Sequence, residues 1–230
     1  MSTWVEIERA ARQLSARERR LLLARIGEEL EADSHVEEPR ADYGGALAER
    51  RLFTFEEYLE IERTSPLRHE YVAGEIFAMG QPRQAHELIA VTLAAALRSH
   101  LGAHPCRTYA GGRMLHFKCR GDDIAYYPDV WVGCGESRNA QGEFDDEPRL
   151  VIEVLSPSTA RIDRREKALN YREIPSLQEF VLVDPKPVRL VIHRRAQQWA
   201  PVVLEVPEAL LELRSVGLTL CAARVYEGVP

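Results

Sequence analysis

The sequence predicts a mixed α/β (α+β) fold, a central mixed sheet flanked by helices and preceded by a helical extension. Three observations carry this expectation. Helix-type and strand-type runs follow one another in the order helix, three strands, strand, helix, strand. The run "RLVIEVL" at 149–155 is apolar on both sides of its middle, as in a strand covered on two faces. Two helix starts carry capping boxes, at Ser15/Glu18 and Thr54/Glu57.

Residues 1–31 read as two short helices, with Leu22, Leu23, Ile26 and Leu30 at helical spacing after Ser15. Residues 32–51 are acidic, carry a proline and a glycine pair and lack periodicity, which marks a linker to a domain at 52–230. "TFEEYLEIER" is the first helix of that domain. "RHEYVAGEIFAM" reads as a hairpin turning at Ala73-Gly74. Residues 84–101 set Leu88, Thr92, Ala95 and Leu97 on a helical period. Strand-type runs follow at 106–110, 113–119 and 125–132, broken by Gly111-Gly112 and Gly121-Asp122-Asp123. The strand at 149–155 leads into a helix from about 160 to 173. "EFVLVDP" is a short buried strand, and "VRLVIHRR" with "WAPVVLEV" forms a closing hairpin.

Composition narrows the function classes. No apolar run approaches the ~18 residues of a membrane span, and the first residues lack a signal core, so a cytoplasmic protein is expected. Cys106, Cys119, Cys134 and Cys221 show neither metal-type pairs nor a disulfide framework, which predicts four reduced thiols. The net charge of −6 argues against a salt-driven nucleic-acid coat. An enzyme with acidic metal ligands and a local basic surface remains compatible with it.

The chemistry centres on Glu153, a carboxylate inside the apolar run. A buried carboxylate is costly unless it is paired or holds a metal. Asp129, in "YYPDVWV", interrupts another strand-type run, and Pro128 favours an irregular point there. If the two strands are neighbours, both acids can share one hard cation. Magnesium is held by one or two carboxylates, with water and substrate phosphate completing its shell. Glu70, on the hairpin, is a candidate third carboxylate, and His86 at the head of the 84–101 helix a supporting residue. On the helix after Glu153, Asp163, Lys167 and Tyr171 stand at i, i+4 and i+8 and share one face. The plainer alternative stays open. Asp129 then caps a turn, Glu153 pairs with a core arginine, and the helix stripe is a solvated face.

Taken together, "YYPDVWV", "PRLVIEVLSPST" and "RIDRREKALNYREIPSLQEFVLVDP" resemble the bacterial Uma-two family of endonucleases, which is similar to the PD-(D/E)XK restriction-endonuclease superfamily. The likeness covers about residues 52–228. It implies a restriction-endonuclease-like core, with Asp129 as the aspartate of the PD element and Glu153 as the second acid. The superfamily lysine two residues after that acid is Leu155 here, and the resemblance implies that Lys167 has taken its role. The implied activity is magnesium-dependent hydrolysis of DNA phosphodiester bonds, with manganese as a substitute ion. Asp129, Glu153 and Lys167 are then catalytic, Glu70 joins the two acids as a metal ligand, and His86, Asp163 and Tyr171 support. The rival reading is a catalytically inactive binding or assembly module that keeps the nuclease fold. The apolar stripe of the N-terminal helices needs a partner surface, either the chain's own main domain or a second copy. Superfamily members that cut both strands often act as dimers, so the resemblance tilts the expectation toward a homodimer through these helices.

Overall fold

The computed structural model of the chain describes residues 51–80, 82–135, 144, 145, 147–155 and 160–230, together with 10, 13–15, 17–19, 21, 22 and 25. Thr54 begins the domain as a helix cap. Its hydroxyl accepts the Glu57 N–H at 3.2 Å, and the Glu57 carboxylate accepts the Thr54 N–H at 2.9 Å. Helix α1 (Phe55–Thr64) follows, then the hairpin β1 (His69–Val72) and β2 (Glu75–Ala78). Ala73 and Gly74 both take positive φ, 51° and 96°, as a two-residue hairpin turn demands. A side chain at Gly74 would also strike Leu52.

Helix α2 (Gln84–Leu101) buries Ile89, Leu93, Leu97 and Leu101, one residue per turn along a single stripe. Burial of each such side chain stabilises the fold by about 1.5–3 kcal/mol. Strands β3 (Cys106–Ala110), β4 (Met114–Cys119), β5 (Asp122–Tyr126), β6 (Val130–Cys134) and β7 (Phe144–Asp145) lead to β8 (Pro148–Val154). After helix α3 (Ala160–Tyr171) come β9 (Glu179–Asp184), β10 (Arg189–Arg194), β11 (Pro201–Leu204), β12 (Leu210–Leu213), β13 (Leu218–Cys221) and the short α4 (Ala222–Val225).

The strands form two larger sheets, ordered β2-β1-β5-β4-β7 and β11-β10-β9-β8-β6-β3, and a separate β12-β13 ribbon. Strand β8 lies inside the six-stranded sheet, antiparallel to β6 and parallel to β9. Its residues alternate between two cores. Leu150, Ile152 and Val154 pack with the α2 stripe, whereas Val151 and Leu155 pack with Ala168 and Tyr171 of α3 and with residues of the other sheet. Period-two alternation puts Glu153 on that second face. The two-faced burial expected for this strand is therefore present.

Two expectations need correction. The run 125–132 is not one strand. It breaks at Tyr127-Pro128-Asp129, where the chain leaves the sheet of β5 and joins that of β6. Proline has no N–H to give a ladder, so the crossing falls there. The four thiols are not all reduced either. Cys106 and Cys134 face each other across β3 and β6, with Cα atoms 4.0 Å apart, and form a disulfide. Their 28-residue separation hides this, because β3 pairs with β6 over the heads of β4 and β5. Cys119 is free and buried, and Cys221 free and exposed.

In the N-terminal extension the Ser15/Glu18 capping box is present, with bonds of 2.8 and 3.2 Å. Gln13 and Arg17–Arg19 are helical on either side of a break at Leu14-Ser15. Arg19 is buried and donates to Cys119 Sγ at 2.8 Å, and Arg120 donates to the Leu14 carbonyl at 3.0 Å. This part of the extension thus rests on the main domain. Leu22 is exposed, while Leu23, Ile26, Leu30 and the linker 32–50 lie outside the described residues.

Candidate active site

The register of β6 against β8 pairs Val130 with Ile152. One step further along that ladder the chain reaches Asp129 on one side and Glu153 on the other. The Asp129 N–H is 3.4 Å from Glu153 Oε2, and the Val154 N–H donates to Asp129 Oδ2 at 2.7 Å. Asp129 thus takes with its side chain a backbone donor that a regular ladder would have given to a carbonyl. The break at Pro128 is what makes this exchange available. The two acids meet at one end of the sheet because β6 and β8 are neighbours, the condition on which their sharing one ion depends.

Both covering helices reach this point. From α2, His86 Nε2 stands 3.1 Å from Asp129 Oδ2. From α3, Tyr171 donates to Glu153 Oε1 at 2.7 Å, and Lys167 Nζ lies 3.3 Å from the same oxygen. Strand β1 contributes Glu70, whose Oε1 is 2.6 Å from Lys167 Nζ. Glu70 therefore reaches the constellation through the lysine. Asp163 falls within α3, but its side chain lies outside the described residues. Leu155, on the same strand face as Glu153, is buried against α3. The helix supplies a lysine where the strand supplies a leucine.

Electrostatics follow from the packing. Burial of the Glu153 carboxyl pushes its pKa up, Lys167 opposes this, and the charges of Asp129 and Glu70 add to it, for a value of about 7. Burial lowers the His86 imidazole, but the hydrogen bond and charge of Asp129 outweigh it and the net shift is upward. Burial likewise holds the Tyr171 phenol protonated, as a donor to Glu153 must be.

The sequence reading overlooked two neighbours. Lys167 Nζ sits 5.1 Å from the centre of the Tyr126 ring, and the Tyr126 hydroxyl accepts from Asn170 at 2.7 Å. Asn170 is almost fully buried. It stands at i+3 from Lys167, so the face that carries Tyr171 at i+4 carries it too. That spacing was legible in the sequence.

A family model described as "Uma2: Putative restriction endonuclease" matches residues 55–223. The chain belongs to the Uma2 family. The Uma2 match spans every element that lines the site, from α1 to β13, and leaves out the N-terminal extension. Among curated relatives, the uncharacterized protein slr1290 of Synechocystis sp. is 33% identical over 175 residues, covering 76% of this chain and 91% of that one. The uncharacterized protein sll1609 of the same organism is 28% identical over 158 residues, covering 66% and 88%. Among solved structures, a "putative nuclease belonging to DUF820" from Anabaena variabilis superposes with a TM-score of 0.65 at 22% identity, over 77% of this chain and 99% of that one. The Uma2 chain shares that protein's fold.

Proposed function

We propose that this chain is a magnesium-dependent endonuclease that hydrolyses DNA phosphodiester bonds, with manganese able to replace magnesium. The observation that carries the reading is the meeting of Asp129 and Glu153 across β6 and β8, with Lys167 3.3 Å from Glu153 Oε1. The donor chemistry fits a hard ion. Asp129 is positioned through Oδ2, by the Val154 N–H and His86, and Glu153 through Oε1, by Tyr171 and Lys167, while Glu153 Oε2 faces the Asp129 N–H at 3.4 Å. Glu153 is also kept above its normal pKa by burial and by neighbouring negative charge. Among the described residues no three His, Cys, Asp or Glu side chains close into a cage. A two-carboxylate site suits magnesium, which keeps several waters and takes substrate phosphate as a ligand.

Asp129 and Glu153 would hold the ion, with Glu70 as the third candidate carboxylate once Lys167 turns toward substrate. When bound, the ion lowers the pKa of an attacking water and neutralises phosphodiester charge. Lys167, once turned toward substrate, supplies a positive charge next to the bond being broken. Tyr171 fixes the Glu153 carboxylate and His86 fixes that of Asp129. The protein acts in the cytoplasm in this reading, and no helix among the described residues is long and apolar enough to cross a membrane.

Plasmid cleavage with magnesium or manganese tests the assignment. Asp129→Ala and Glu153→Ala should abolish cleavage, and Lys167→Ala should slow it roughly 10²–10³-fold, the usual loss when one transition-state donor is removed. Activity unchanged in all three variants would sink it. A second reading, a silent module on the nuclease fold, is favoured by Leu155 in the usual lysine position and by the closed Lys167–Glu70 pair. Calorimetry separates the two. An active site binds magnesium or manganese and loses that binding in Glu153→Ala, whereas a silent module binds neither ion.

A further inference from the structure

A second buried carboxylate lies beside the site and the mechanism above does not use it. Glu62, at the end of α1, is 6% exposed. Its Oε1 accepts from the Tyr127 hydroxyl at 2.8 Å and lies 3.3 Å from the His69 N–H, while its Oε2 faces His69 Nδ1 at 3.0 Å. This one anion ties together the residue before Glu70 and the residue two before Asp129. It also faces Arg68, whose guanidinium lies 3.6 Å from Glu62 Oε1 and 5.3 Å from the centre of the Tyr127 ring.

Arg68 differs from an ordinary surface arginine in three ways. It is attached to the site from both directions, two residues before Glu70 on the same extended segment and stacked on the residue two before Asp129. The Met79 N–H to Arg68 carbonyl bond, 2.9 Å, carries the β1–β2 ladder out to Arg68, so Arg68 and Glu70 face one side. Two strand residues span about 6.6 Å, so Arg68 leaves the backbone that far from Glu70, the partner of Lys167. Finally, 3.6 Å is an ion-pair contact and not a hydrogen bond, and 56% of the side chain is exposed. Glu62 shares its charge among several donors, and the planar fork keeps N–H groups turned to solvent. The guanidinium is held in place without being used up.

We infer that Arg68, held by Glu62 and the Tyr127 ring, grips a backbone phosphate of the nucleic acid flanking the one that is cut. The inference rests on the endonuclease reading. Guanidinium suits this task because its fork matches two phosphate oxygens at once, which an ammonium does not. The acidic net charge makes such a placed contact necessary, since the chain as a whole does not attract DNA.

The test is binding of a fluorescein-labelled DNA duplex by anisotropy, in calcium, over a series of salt concentrations. Calcium occupies carboxylate sites without magnesium's strict octahedron. Arg68→Gln should weaken binding roughly tenfold and lower the slope of log affinity against log salt by about one, the loss of a single phosphate contact. Arg68→Lys should keep the slope and recover only part of the affinity. Arg224→Gln, which removes an exposed arginine paired with Glu227 on the C-terminal helix, serves as a control and should bind as wild type does. If Arg68→Gln binds with wild-type affinity and slope, the inference is overturned while the endonuclease reading stands. If the wild type neither binds nor cleaves duplex DNA, the endonuclease reading falls and takes this inference with it.

Discussion

Glu153 is buried among apolar neighbours, yet three groups converge on its carboxyl, and the balance between them decides its protonation. Burial dominates and raises its pKa from 4.5 to about 7, with Lys167 and the Tyr171 hydrogen bond pulling the other way. The folded protein therefore holds a proton that the unfolded chain releases. The stability contributed by this proton is fully present below pH 4.5 and is lost as pH rises through about 7. Chemical unfolding of the metal-free protein should show stability declining across that window, and Glu153→Gln, which keeps the shape without the titration, should flatten the decline. A divalent ion must displace the same proton, so magnesium should raise the melting temperature more at pH 8 than at pH 6. Equal stabilisation at both values would mean that Glu153 does not hold the ion.

The β12–β13 ribbon packs Leu211 and Leu213 into the core of the six-stranded sheet and is also tied to that sheet by a buried ion pair. Arg194 of β10 donates to Glu179 of β9 at 2.7 Å and to the Glu212 carbonyl of β12 at 2.6 Å. The Glu179 carboxylate also accepts the N–H groups of Arg214 and Ser215, at 3.1 and 2.6 Å, in the turn of the ribbon. Removing one member of a buried pair leaves the other charge uncompensated and costs about 3–5 kcal/mol. Arg194→Ala should lose stability near the lower end of that range in urea unfolding, because two backbone donors remain on Glu179. A loss below about 1 kcal/mol would show that the backbone donors alone satisfy the carboxylate. The ribbon matters to the site only indirectly, by holding β9 and β10 inside the sheet in which Glu153 sits.

In the endonuclease reading an acidic chain surrounds a site for a polyanion, so attraction has to come from a few placed cations. The N-terminal extension bears on assembly. Its Arg19 is sunk against Cys119, while Leu21 and Leu22 are 55% and 39% exposed. Docking thus uses the arginine and leaves these two leucines outward, and the proposal of a homodimer through this segment makes them a contact for a second copy. Light scattering of the full chain and of residues 46–230 should give a dimer and a monomer respectively. Two monomers would rule out dimerisation through this segment, and two dimers would move the interface into the main domain.

The elements themselves were largely written in local sequence. The Thr54/Glu57 box, the Ala73-Gly74 turn, the 84–101 helix and the apolar run around Glu153 each depend on neighbours a few residues away, and each formed where expected. The same holds for Asp129, Glu153, Lys167 and Tyr171, because a charge inside an apolar run and a helical period can be read without knowing the fold. What sequence could not decide is which strand lies beside which. Only the pairing of β6 with β8 brings Asp129 to Glu153, only the pairing of β3 with β6 sets Cys106 against Cys134, and only the crossing at Pro128 between sheets frees Asp129 from its ladder. Glu62 joining His69 to Tyr127 is of the same kind. These contacts span 24, 28 and 65 residues. Loop closure makes them dependent on the whole core forming first, so no local pattern announces them.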